Sequence, residues 1–300
     1  MKPNLFIVGA PKCGTTAWAQ YLGTHPDIHI SALKEPHYFC TDFPKLKKVA
    51  SEGEYLALFA GGASKSVIGE ASASYLYSKE AAENLRRFAP DAKIIIFVRD
   101  RPGLLFSWHS QLLYNRVENR SDFEQAWRLS GQRKPRDHGP ACDEKSFLDY
   151  RSFGKLNEQV DRFLASFPAD QVRVFHLEDW SRDPRATYLE IMRFLGVEDD
   201  GRTEFPRVNE AKRSRSKLVS LFFRKPPRAA AAVYHFVRRL TGWEAAPLTA
   251  KLVQLNSKPG YDKSLPASLR EEIERTYADD EARLRPKIWR PSPGNGASAA

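Results

Sequence analysis

Gly9-Ala10-Pro11-Lys12-Cys13-Gly14-Thr15-Thr16 is the stretch of this sequence best suited to chemistry. A glycine turn that leads into a helix offers backbone N–H groups and a helix N-terminus to an anion. Gly9 and Gly14 stand at the spacing of the two glycines in a Walker A loop. The residues after them differ. Walker A continues with Lys and then Ser or Thr, whereas Thr15 and Thr16 follow here and the lysine has moved back to Lys12. Lys12 still brings positive charge to a phosphate or a leaving group. The missing Gly-Lys pair speaks against an ATP or GTP site. A structural turn is the alternative reading of the loop.

Two further constellations carry chemistry. Arg99-Asp100-Arg101-Pro102 follows the apolar run KIIIFV, with Ser107 eight residues after Arg99. In parallel α/β sheets, ligands gather at the carboxyl ends of strands. An Arg there and a Ser on the next helix could converge on one phosphate. Equally, Arg99 could pair with a carboxylate and Ser107 be a small helix residue. Lys34-Glu35-Pro36-His37-Tyr38-Phe39 is the other constellation. It allows a general base with charged neighbours, although a solvated loop carboxylate has the same pattern.

These residues need elements to hold them. Leu5 to Val8 and Lys93 to Val98 read as buried strands, with Ser66 to Gly69 and Val172 to Leu177 as further strands. Thr15 to Leu22, Ala81 to Phe88, Leu104 to Tyr114, Phe153 to Phe167 and Arg185 to Leu195 read as helices, the last ending at Gly196. Strands alternating with helices imply an α/β protein with a central parallel sheet covered by helices on both faces. Residues 1–291 are expected to form one domain, and the small polar tail from Ser292 to be disordered.

The 300 residues are 42% hydrophobic and 12% aromatic, enough for a substantial core. The net charge of +10 attracts anions without choosing among nucleic acid, lipid head groups, acidic sugars and polyphosphorylated nucleotides. Cys13, Cys40 and Cys142 fit neither a zinc site nor a disulfide framework, which suits a reducing compartment. The sequence has no signal-peptide pattern and no run of about 18 apolar residues, so a cytoplasmic protein is expected. In the basic segment from Lys212 to Trp243, the run Ala229 to Leu240 fits a helix packed with a basic outer face. An amphipathic helix making weak peripheral membrane contact is its alternative.

Together the three motifs resemble the PAPS-dependent sulfotransferases, whose donor is 3′-phosphoadenosine 5′-phosphosulfate. The likeness is to the branch of heparan-sulfate sulfotransferases and their bacterial relatives. That family's P-K-x-G-T-[ST] loop is matched by Pro11 to Thr16, its 3′-phosphate motif by Arg99 and Ser107, and its K-E-P-H-[FY]-F segment by Lys34 to Phe39. Gly69-Glu70-Ala71-Ser72-Ala73-Ser74-Tyr75 is similar to a G-E-K-[ST]-P-x-Y segment. His176 to Trp180, Phe194-Leu195-Gly196, Asn209, Arg213-Ser214 and a closing helix leading to Trp289 extend the likeness along nearly the whole chain. The sequence departs from the pattern at Ala71, where the branch often has Lys, and at Ala73, where it has Pro. Leu104 replaces a common Arg, and proline is displaced by one residue in R-D-R-P.

The resemblance implies a three-layer P-loop-type fold and transfer of a sulfuryl group from PAPS to an acceptor hydroxyl, with release of PAP. Pro11, Lys12, Cys13, Gly14, Thr15, Thr16 and Ala17 would hold the 5′-phosphosulfate, and Arg99, Ser107 and Arg213 the rest of the donor. Lys12 would stabilise the leaving group, and Glu35 would take the acceptor proton. His37 and Lys34 would tune Glu35 or touch the acceptor, and Glu70 is the other carboxylate open to the role of base. No metal is expected. The implied partners are PAPS and a glycan or small-molecule alcohol, not nucleic acid. A P-loop kinase or NTPase and a non-catalytic polyanion-binding protein are the rival readings.

Overall fold

The computed structural model describes residues 1–208 and 265–290, with the backbone of 212–214 and 257–259. The chain divides into two compact units. The first comprises Met1–Leu104, Ser152–Val208 and Arg270–Ala300, the second Leu105–Arg151 and Asn209–Leu269.

The first unit is built on a five-stranded parallel sheet. Its strands are β1 (Leu5–Gly9), β2 (Ile28–Ile30), β3 (Val67–Ala71), β4 (Lys93–Val98) and β5 (Val172–His176), in the order β2-β3-β1-β4-β5. Every residue of β1 and β3 is buried, as are the five that follow Lys93 in β4. Such strands are apolar on both faces apart from Glu70 of β3, which is why LFIV and IIIFV run without alternation. Leu5 lies opposite Gly69 on one side and Lys93 on the other. Gly69 is needed there, because a Cβ at that position would sit 2.7 Å from the Leu5 carbonyl.

The helices are α1 (Thr15–Gly23), α2 (Glu52–Ala57), α3 (Ala81–Phe88), α4 (Arg101–Tyr114), α5 (Phe123–Arg128), α6 (Tyr150–Phe153) and α7 (Leu156–Ser166). They continue with α8 (Leu177–Arg182), α9 (Pro184–Leu195), α10 (Ala267–Thr276) and α11 (Ala278–Leu284). α1 packs on β2 and β3, and α8 on β5. Trp18 of α1 stacks on Phe97 of β4 with ring centroids 5.4 Å apart. The sheet and its helices make the α/β architecture the sequence implied.

Three of the expected elements depart most from the sequence reading. The helix expected over Phe153 to Phe167 is broken into α6 and α7. Gly154 lies at the break, where a Cβ would meet the Tyr277 ring at 2.4 Å and the carbonyl accepts from Arg101. α4 begins at Arg101 rather than Leu104. Asp100 accepts the Gly103 N–H at 2.7 Å, and Pro102 is tolerated in the first turn, where its missing N–H costs nothing. The third strand runs from Val67 to Ala71, later than Ser66 to Gly69.

The second unit holds α5, capped by Asp122 through the Gln125 N–H at 2.9 Å. Its buried Glu118 accepts from Arg133, from Tyr150 and from the backbone of Asn119 and Arg120. Arg133 and the other donors hold the Glu118 carboxyl below the ordinary range against the opposing effect of burial. β6 (Lys212–Ser214) pairs antiparallel with β7 (Ser257–Pro259). Asn209, the Arg213 side chain, the run Ala229 to Leu240 and the tail from Ser292 lie outside the described residues. Among the described residues, no helix is long and apolar enough to cross a membrane.

Candidate active site

Strand order places the site. From β1 the chain moves out to β2 and β3 on one side, then crosses to β4 and β5 on the other. The order reverses between β1 and β4, whose carboxyl ends are the expected ligand position in such sheets. The loop after Gly9 and the Arg99 segment both leave the sheet there, and the Ala10 N–H donates to the Phe97 carbonyl.

The loop itself is turned by two left-handed residues, Lys12 at φ 67° and Gly14 at φ 89°. Gly14 has a second reason to be glycine. A Cβ there would lie 2.3 Å from the Trp180 ring. Gly14 is also the N-cap of α1 and supplies no side-chain cap, and no acidic residue occupies the first turn. The first N–H groups of the helix therefore favour an external anion. Thr15 and Ala17 are buried, while Thr16 is half-buried.

Lys12 is half-buried, and its ammonium is pushed below the ordinary lysine value. Burial is the main cause. The charges of Lys34 and Arg99 add to it, and Glu35 acts the other way. Lys12, Lys34, Glu35 and Arg99 are thus electrostatic neighbours. Arg99 donates from Nη1 to the Lys12 carbonyl at 3.3 Å and from Nε to Asp100 Oδ1 at 3.4 Å. The carboxylate pairing left open by the sequence is therefore present, and the guanidinium also touches the loop. Asp100, whose two oxygens serve Arg99 and Gly103, is committed to capping. Ser107 lies half-buried on α4, within the second unit.

Glu35 stands on the loop after β2. Its Oε2 is 3.8 Å from His37 Nε2, and its Oε1 is 4.0 Å from Lys34 Nζ. The side chain keeps 32% of its surface exposed, against 7% for His37. Burial pushes the Glu35 carboxyl up, but the nearby His37 ring and the charges of Lys34 and Lys48 together draw it below the ordinary range. Glu35 and His37 are both left-handed, at φ 54° and 52°. Non-glycine residues adopt this region rarely and persist in it where surroundings over-determine them. Lys48 is one such constraint: its Nζ donates to the Lys34 carbonyl at 2.6 Å and its N–H to the Pro36 carbonyl at 3.0 Å.

The other carboxylate, Glu70, is fully buried in β3. Its oxygens accept from Tyr55, Tyr75 and Ser72 at 2.6–2.8 Å. Burial raises its carboxyl despite these donors. With no exposure and both oxygens occupied, Glu70 cannot reach an acceptor hydroxyl, which removes it as a candidate base.

A model of the sulfotransferase domain matches residues 2–222, well over half of the chain. The chain belongs to the sulfotransferase family. This sulfotransferase is 29% identical over 257 residues to carbohydrate sulfotransferase 15 of Mus musculus, covering 65% of the chain and 44% of that protein. It is 25% identical over 195 residues to the human heparan sulfate glucosamine 3-O-sulfotransferase 6, covering 65% and 52% respectively. The chain thus spans about half the length of these curated relatives. A crystal structure of a sulfotransferase from Alicyclobacillus acidocaldarius superposes with a TM-score of 0.69 at 28% identity, covering 97% of each chain.

Sequence reasoning missed Lys48 and Tyr55, which reach the site across loops and carry no motif of their own. Ser72 and Trp180 lie in segments that resemble the family without a role of their own. Their work, accepting a loop N–H and crowding Gly14, is visible only in three dimensions.

Proposed function

We propose that this sulfotransferase moves a sulfuryl group from PAPS to an acceptor hydroxyl on a carbohydrate, with release of PAP. The observation that carries this reading is that Lys12, on an uncapped helix-leading loop, lies within electrostatic reach of Glu35 on the loop after β2. One site then holds an anion cradle, a cation and a partly exposed carboxylate. The names of the curated relatives support a carbohydrate as acceptor.

In the proposed step, Glu35 accepts the proton of the acceptor hydroxyl. The acceptor oxygen forms a bond to sulfur, and the bond from sulfur to the bridging oxygen of the 5′-phosphosulfate breaks. The electron pair stays on that oxygen, which becomes part of the 5′-phosphate of PAP. Lys12 and the first N–H groups of α1 stabilise the charge gathering there. Arg99 is assigned to the 3′-phosphate. His37 and Lys34 keep Glu35 ionised.

A thermal-shift panel tests the donor class. PAP at a hundred times its Kd should stabilise the protein by about 2.7 kcal/mol. ATP with Mg²⁺ should do much less, and heparin should act only in a salt-sensitive way. Stabilisation by ATP with Mg²⁺ above that by PAP would favour a kinase-like enzyme instead. Labelled PAPS offered to glycans and to small alcohols then identifies the acceptor.

A further inference from the structure

The proposed reaction makes no direct use of Glu70, yet the fold spends three hydroxyl donors on it. Tyr55 and Tyr75 donate to Oε1 at 2.7 and 2.8 Å, and Ser72 donates to Oε2 at 2.6 Å. Two of these hydroxyls face the Glu35 loop on their other side. The His37 N–H donates to Ser72 Oγ at 3.1 Å, and the Phe39 N–H donates to the Tyr75 hydroxyl at 3.4 Å.

A backbone N–H can only donate. Ser72 and Tyr75 must therefore accept on the loop side, and the single proton of each is left for Glu70. Polarity runs one way, from loop backbone through hydroxyl to carboxylate. With its two oxygens accepting from three hydroxyls, the Glu70 carboxyl holds this direction fixed. Burying a carboxylate is costly, and a well-packed apolar residue would commonly serve stability as well or better. What the carboxylate adds is orientation.

We propose that Glu70, acting through Ser72 and Tyr75, is a positioning residue that holds the His37–Phe39 backbone and thereby sets the Glu35–His37 pair. The left-handed His37 lies at the point where this chain of hydrogen bonds meets the loop. Lys48 holds the other end, at Lys34 and Pro36. The geometric claim concerns the loop, and its catalytic meaning rests on the reading of Glu35 as base.

The test is a carboxyl NMR titration of glutamate-labelled protein, with the Glu35 signal assigned by its loss in Glu35→Gln. The charged groups facing Glu35 are Lys34, His37, Lys48 and Lys12, and none is changed in the variants. Ser72→Ala removes the hydroxyl, Ser72→Thr keeps it, and Glu70→Gln places an amide donor where only an acceptor stood. In Ser72→Ala and Glu70→Gln the Glu35 titration should move to higher pH, since the His37 ring, 3.8 Å from Glu35, is no longer held there while burial stays. Exchange of the His37 amide should quicken by about tenfold, the scale of one hydrogen bond. Ser72→Thr should restore both readouts. Wild-type titration and exchange in folded Ser72→Ala would overturn the proposal, even if its Tm fell, and would leave the cluster a core filler. Should Glu70→Gln fail to fold, Ser72→Ala decides alone. The titration needs no turnover, so it stands apart from the base assignment. Full turnover by Glu35→Gln would sink that assignment and leave the positioning link to be judged by the NMR result.

Discussion

Glu35 is pulled two ways, and the balance sets how the enzyme should respond to pH. Burial favours its protonated form, while His37, Lys34 and Lys48 favour the carboxylate and win. A carboxylate with a lowered value stays ionised as pH falls, so the base form is complete at neutral pH. Turnover should hold across the neutral range and decline only below the usual carboxylate titration. Glu35→Gln should lower turnover by a factor on the order of 10²–10⁴ and flatten that acidic limb. The PAP thermal shift should survive, because the donor phosphates are assigned to other residues. Rates within about tenfold of wild type, with the limb intact, would pass the role to His37. Legibility at this scale depended on contiguity. Lys12 and Glu35 each lie in a short motif, so the family resemblance could propose roles for them. Lys48 and Tyr55 lie outside any motif, and only folding brings them to the loop and to Glu70.

At the scale of elements, the junction between β1 and α1 carries the proposed donor site. Strand, loop and helix were legible because the apolar run, the glycines and the helix follow one another directly. The three-residue strand β2 was not, since its sequence is only Ile-His-Ile and it pairs with β3 alone at the sheet edge. α8, six residues long, leaves too little periodicity to read. Its Trp180 nevertheless fixes a residue in the loop. Gly14→Ala puts a Cβ 2.3 Å from that ring in a backbone conformation disfavoured for L-residues. The indole is edge-packed on Trp18, which itself stacks on Phe97, so it has little room to yield. Overpacking of this kind costs about 1–3 kcal/mol. We expect Gly14→Ala to lower Tm and to weaken PAP binding together, as read by a melt with and without PAP. A wild-type melt and an unchanged PAP shift would show that the loop relaxes away from Trp180 at no cost.

At the scale of the molecule, segments far apart in sequence are tied by a buried charge cluster that no local pattern announces. Arg101, only 3% exposed, donates to Asp280, to Glu281 at 2.7 Å and to the Gly154 carbonyl at 3.0 Å. Asp280 also accepts the Asn157 N–H at 3.1 Å, while Lys287 reaches Asn157 and Asp161. The chain then closes on β5, where the Trp289 N–H donates to the Val174 carbonyl at 2.8 Å. In the sequence, Arg101 looked like part of a phosphate motif with a displaced proline. Its guanidinium is instead spent on holding α4 to α11. Arg101→Met keeps much of the packing but strands Asp280, and losing one partner of a buried pair costs about 3–5 kcal/mol. Asp280→Asn leaves Arg101 with Glu281 and the Gly154 carbonyl. The double variant leaves neither charge unpaired, so its loss should be clearly smaller than the two single losses added together. Urea unfolding of the four proteins measures this. Simple additivity would mean that Arg101 and Asp280 act independently, with the Gly154 carbonyl and Glu281 sufficient to satisfy the guanidinium.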